Sequence, residues 1–247
     1  MRWLNRLLHR HASGPIHPLE NAVRFSTDGW TLKSQSEETI IWRNEWGDGL
    51  SLQFYEWPPD LLGMNEVELR DHFRQHGLKH RRVVISCDLL NRSGIPYVRT
   101  VMKFRRHDNL DFAYSGNLFF LFHEFWYLVS VHCENIDITG MRHAVVTSKL
   151  LDQANESGQW GKMSLEELMA TWYHDRYHPE LRPDPRFFND ETRITLPIEE
   201  QEREYYFVGD APEYDDIIPH EPLSRLRRYL STLERTLELQ GGQVVRT

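Results

Sequence analysis

The stretch DFAYSGNLFFLFHEFWYLVSVHCEN, Asp111 to Asn135, constrains this chain most. Leu118–Phe122 and Phe125–Val129 are almost wholly apolar and aromatic, with His123-Glu124 interrupting them. Aromatic and β-branched residues dominate, and Gly116, Asn117 and Asn135 flank the run, so it reads as two adjacent strands turning at about His123-Glu124. A membrane span needs roughly 20 apolar residues; this run is shorter and carries Glu124. So apolar a hairpin belongs at the centre of a sheet, with a helix on at least one face.

The flanking chain supplies the rest of that sheet. Trp30–Lys33, Glu38–Asn44 and Gly49–Glu56 read as three short strands, with Gly47-Asp48-Gly49 as a turn. Asn65 caps a helix expected from Glu66 to His76, with Glu68 completing a capping box and Gly77 ending it. Arg81–Asn91 and Ile95–Arg106 read as strands joined at Arg92-Ser93-Gly94, and with the hairpin they make an antiparallel run of four. That turn sets Asn91 against Ile95 and Arg81 against Arg105. A helix from Thr139 or Gly140 to about Ala154 is expected to bury Met141, Ala144, Val145, Thr147 or Ser148, and Leu151.

Beyond it the character changes. Asn155–Lys162 reads as a linker, and Ser164 with Glu167 starts a helix expected to reach Tyr177. From Pro183 to Pro222 the chain is rich in Pro, Asp and Glu, yet it holds Phe187, Phe188, Tyr205, Tyr206 and Phe207. Disordered tails are poorer in aromatics, so an extended arm anchored to the main domain is expected. A last helix opens at Pro222, with Leu223, Leu226, Leu230, Leu233 and Leu237 on one side. The expected units are an amphipathic N-terminal helix at 1–13, a sheet domain at 25–154 and a C-terminal extension at 155–247. The fold class is α+β, an antiparallel sheet flanked by helices, with an extended acidic arm and a C-terminal helix.

Composition excludes several classes. The net charge of −8 argues against general nucleic-acid binding. Cys87 and Cys133 fall inside expected strands, where buried free thiols in a reducing cytoplasm are the simple reading. In the first eleven residues Arg6, His9 and Arg10 break the apolar run and no small-residue cleavage site follows, so a terminal helix is expected and not a leader. Its apolar face, with Trp3, suits packing in cis, docking on a partner or contact with an anionic membrane surface.

The order of elements, TIIWRN and GLSLQFYEW before a helix, IPYVRTVMKFR, then FWYLVSVHCE followed by TGMRHAVVTSKLL, resembles the PsbP/Mog1/DcrB-like fold. That group includes the DUF1795 chaperones associated with type VI secretion effectors. The resemblance covers about Phe25 to Asp152 and implies a binding, chaperone or accessory protein of bacterial type. It carries no catalytic position over to this chain.

Candidate chemistry is sparse. His72, His76 and His80 are four apart, but HFRQH lacks the Glu of HExxH; His174 and His178 repeat the spacing next to Pro179. His123-Glu124 falls in a turn, and His132 and Glu134 at a strand end are expected not to converge. Asp190, Glu191, Asp210, Asp215 and Asp216 lack calcium-loop spacing and read as a solvated face. The expectation is a cytoplasmic, non-catalytic protein that binds another polypeptide, without cofactor or metal. A secretion chaperone or adaptor is its sharpest form; a toxin inhibitor and a metal-dependent hydrolase are the alternatives. Arg81, Arg82, Arg105 and Arg106 gather at one strand end and, with Trp3, are the expected partner-binding residues. The acidic Glu199–Glu204 segment is one anion that could meet them.

Overall fold

The computed structural model describes residues 19–57, 60–92, 94–105, 112–134, 140–197, 200, 203 and 205–239. With strands numbered along the chain, the expected hairpin is β7 (Phe112–Leu121) and β8 (Trp126–Glu134), turning at His123-Glu124. On one side lie β4 (Gly49–Tyr55), β3 (Thr39–Asn44) and β2 (Trp30–Gln35). On the other lie β6 (Ile95–Arg105) and β5 (Arg82–Arg92). The seven strands run antiparallel in the order β2-β3-β4-β8-β7-β6-β5, with the hairpin central. This is the α+β architecture that the order of elements implied.

Strand alternation gives the sheet two faces. One carries Leu50, Leu52, Leu118, Phe120, Val129 and Val131, all buried. The leucine-striped helix, here α6 (Pro222–Thr236), lies on it, and Leu223, Leu226, Leu230 and Leu233 are buried against it. Each such leucine contributes about 1.5–3 kcal/mol by leaving water. Gly116 sits in mid-strand below Leu230; a Cβ there would come within 2.6 Å of Leu230 Cδ1. Its missing side chain lets the helix approach.

The opposite face is covered only in part. Helix α2 (Glu66–Lys79), capped by Asn65 and Glu68 as expected, buries Leu69 and Phe73 against Val84, Cys87, Val98, Met102 and Phe119. Cys87 and Cys133 are buried free thiols, one under each helix-covered face. Away from α2, Ser51, Gln53, Tyr55, Leu128, Ser130 and His132 stay half exposed on β4 and β8.

Five local expectations need correction. Helix α2 runs past Gly77, which is buried within it. A Cβ at Gly77 would stand 2.7 Å from the Arg82 carbonyl oxygen, so this glycine serves a close approach and not a helix end. Arg81 is not a strand residue: at φ +52° it is the left-handed residue just after the His80 C-cap. At the β5–β6 turn Arg92 faces Ile95 and Asn91 faces Pro96, one residue off the expected register. A bulge at Ile85 takes up that residue, so Arg82 faces Phe104.

The other two corrections lie C-terminal to the sheet. Helix α3 (Met141–Glu156) turns Arg142, Val146 and Ala154 inward, while Met141 is 40 % exposed. Of the expected inner face, Ala144 and Ser148 are exposed as well, because the helix turns its Arg142–Val146 side inward. Helix α4 starts at the Ser164–Glu167 capping box but spans only Leu165–Thr171, and the single turn α5 (Asp190–Arg193) follows further on. After α4, Tyr173–His174 forms β9, paired with β10 (Tyr206–Phe207). Ladder pairing therefore outweighs helix propensity at Tyr173–Tyr177. Tyr205, Tyr206 and Phe207 are buried, and Phe207 stacks on Tyr173 at 5.0 Å. A last short ladder joins β1 (Val23–Arg24), which follows the single turn α1 (Leu19–Ala22), to β11 (Glu238–Leu239).

Candidate functional site

The two edges of the sheet differ. Beside β5 lies the β9–β10 ladder, with Tyr177 packed into the core under α2 and Asp175 bonded to Arg74 at 2.5 Å. At the other edge, five of the six β2 residues are exposed, and no described strand pairs with its outer side. A free edge presents amides and carbonyls ready for another strand. Lys33 and the bulge between Leu32 and Ser34 keep it from being a flat template.

Below this edge a cleft of about 410 Å³ opens between β2 and α6. Trp30, Tyr229 and Leu233 give it an apolar wall, and Asp28, Arg228 and Arg235 a charged rim. Trp30 meets Tyr229 edge-on at 5.1 Å, which fixes both rings. Leu32, 50 % exposed, shares the Trp30 face of the strand. Apolar walls with a few polar groups suit an inserted side chain.

What holds α6, and so the cleft, is a set of buried ion pairs. Asp48 takes Arg225 through both carboxylate oxygens, at 2.8 and 3.0 Å, and Arg225 also donates to the Glu134 carbonyl. Arg142 donates to Glu221 at 2.8 Å, to the Gly209 carbonyl at 2.7 Å, to Ser224 and to Asp215. Glu221 also caps α6 by accepting the Leu223 amide at 2.9 Å. On β6, Lys103 reaches Asp210 at 3.0 Å, and both side chains are buried. Asp210 and Asp215 are therefore counter-ions of the interior, correcting the solvated-face reading. Alternation could have revealed Lys103 and Arg99, which share the core face of β6 with Tyr97 and Val101. Nothing local in the sequence marks Asp48, Arg142 or Arg225 as buried.

His143 adds a pH response. The Tyr173 hydroxyl lies 3.1 Å from its Nδ1, and burial, then the Lys103 charge, push its pKa down. The unfolded chain thus takes up this proton first, and stability falls as pH drops from about 6.5 through the folded value. His76 and His174 are lowered too, with burial as the main cause, and act in the same direction. The melting temperature is expected to fall on acidification below about pH 6.5, with a shallower slope in His143→Gln. An unchanged slope in that variant would remove His143 from the account.

Of the expected partner-binding residues, Arg82 is exposed at the start of β5, its guanidinium 5.5 Å from the Phe104 ring centre. Arg81 is exposed in the turn before it. Arg105 ends β6 and pairs with Phe112 on β7, while the β5–β6 ladder ends at Arg82 and Phe104, so Arg81 and Arg105 are not ladder partners; Arg106 and Trp3 lie outside the described residues, as does the 1–13 segment. Within the acidic segment, Glu200 pairs with Arg203 and accepts the Tyr205 hydroxyl, while Glu199, Glu202 and Glu204 lie outside the described residues.

The histidine candidates fall elsewhere. His76 and His80 touch at 4.4 Å, His174 is a strand residue, and His178 pairs with Glu180. His132 and Glu134, two apart on β8, share one face, contrary to expectation; His132 packs on Phe104 at 5.3 Å. Among the described residues no group of three or more His, Cys, Asp or Glu could hold a metal ion. No described helix is long and apolar enough to cross a membrane.

No family model matches the chain, and no curated protein matches it. Among solved structures, the chain is similar to cyanobacterial PsbP (CyanoP) from Synechocystis sp. PCC 6803, at 13% identity and TM-score 0.35 over 60% of this chain and 96% of that one. It is also similar to a crystal structure from Bacteroides thetaiotaomicron, at 12% identity and TM-score 0.27. That match covers 44% of this chain and 37% of the other. No residue role is carried over from either.

Proposed function

We propose that this chain is a non-catalytic accessory protein that holds an extended segment of another polypeptide along β2. The observation that carries this reading is the contrast between the edges: β5 is flanked by the chain's own ladder, while β2 stands exposed above an apolar cleft. A strand added to β2 would gain backbone hydrogen bonds along the edge and send alternate side chains toward Trp30, Leu32 and the cleft. The sharper form, a bacterial secretion chaperone or adaptor of the DUF1795 kind, rests on the sequence resemblance alone.

Peptides selected from a random library on the purified protein are expected to carry apolar residues at alternate positions. Leu32→Lys and Trp30→Ala should each weaken such a peptide about tenfold, in the range of an interface anchor. Selected peptides that bind both variants as well as the unchanged protein would contradict the reading.

A further inference from the structure

The β5 edge carries a different feature. A pocket of about 30 Å³ lies between the C-terminal half of α2, the start of β5 and Asp175-Arg176-Tyr177. Three guanidinium groups line it, those of Arg74, Arg82 and Arg176, with Asp175 the one carboxylate among the lining residues. Asp175 is already engaged: Oδ2 accepts Arg74 Nε at 2.5 Å and Oδ1 accepts the Tyr177 amide at 3.2 Å. Arg82 and Arg176 are exposed, and each lies over a ring, Phe104 at 5.5 Å and Tyr206 at 4.8 Å. Among the described residues neither is in an ion pair. A ring face steadies a guanidinium without neutralising it.

The surroundings add to the positive potential. Lys79 ends α2 near Arg82, and after burial the His80, Arg82, His72 and Lys79 charges hold the His76 pKa down. We propose that this pocket takes a carboxylate side chain from an acidic polypeptide, held by Arg82 and Arg176. Guanidinium groups bind planar oxyanions through paired N–H bonds. A nucleotide-sized ligand needs a pocket of roughly 300–1,000 Å³. Nucleic acid is further disfavoured by the net charge of −8. The contact is independent of strand pairing at β2, on the opposite edge.

The test is titration of a fluorescent oligoglutamate peptide into the full chain at low salt. Arg82→Glu with Arg176→Glu should weaken binding about tenfold or more, and salt should weaken it for the unchanged protein. Arg43→Glu with Lys162→Glu makes the same change in net charge elsewhere and should alter affinity by less than about twofold. Because charge reversal beside Tyr206 could disturb packing, Arg82→Gln with Arg176→Gln is measured too; it should lose affinity with an unchanged melting temperature. The proposal is overturned by absence of peptide binding, by an equal loss in the control pair, or by undiminished binding in the glutamine pair. Tighter binding of inorganic phosphate than of the peptide overturns it in favour of a phosphoryl ligand.

Discussion

Arg142→Ala should cost about 3–5 kcal/mol of stability, because it strands the buried Glu221 carboxylate without its cation. The guanidinium joins α3 to Gly209, Asp215, Glu221 and Ser224, and its side chain is only 4 % exposed. For a chain of this size the loss corresponds to a fall of roughly 6–20 °C in melting temperature. The pair itself need not be a large net gain, since desolvating both charges offsets their attraction. Removing both charges should therefore hurt less than removing one. Arg142→Met with Glu221→Gln keeps an oxygen to cap the Leu223 amide and should recover about half of the single-variant loss. Thermal unfolding of the singles and the double decides it. A change below about 2 °C for Arg142→Ala would mean that the segment from Gly209 to Ser224 is not held through this residue.

Phe120→Ala should be comparably severe, at about 3–5 kcal/mol, since its ring is 1 % exposed between the sheet and α6. It stacks on Tyr97 at 5.3 Å, so the loss reaches the neighbouring strand. Leu128, on the open half of the other face, is only partly buried and should cost about 1–2 kcal/mol as alanine. Chemical denaturation of the two variants separates them. Equal losses would mean that both faces of the hairpin are equally covered, against the half-open face described.

That difference also shows what the sequence could reveal. The apolar content of Leu118–Val129 identified the central hairpin, because Leu118–Leu121 is buried on both sides and such a run needs no partner to be recognised. The leucines of α6 were legible for the same reason: their spacing is a property of the helix alone. Arg142 was not, because a buried arginine is stable only through Glu221 and Asp215, far away in the chain and in a segment that reads as solvated acid. The bulge at Ile85 was equally hidden; it restores the expected pairing at Arg82 and Phe104, and Arg81 leaves the ladder through its left-handed backbone. The free edge could not be read either: whether a strand is an edge depends on the order of all seven. Arg176 reaches the Arg82 pocket only because β9 replaces the expected helix.

The central claim is that β2 is the surface that receives another chain. Amide hydrogen exchange with a library-selected peptide tests it most directly. The account predicts that exchange slows across Trp30–Gln35 when the peptide is added, while Arg82–Arg92 on the opposite edge keeps its rates. Unchanged exchange across Trp30–Gln35, with protection appearing on another face of the bound protein, would contradict it.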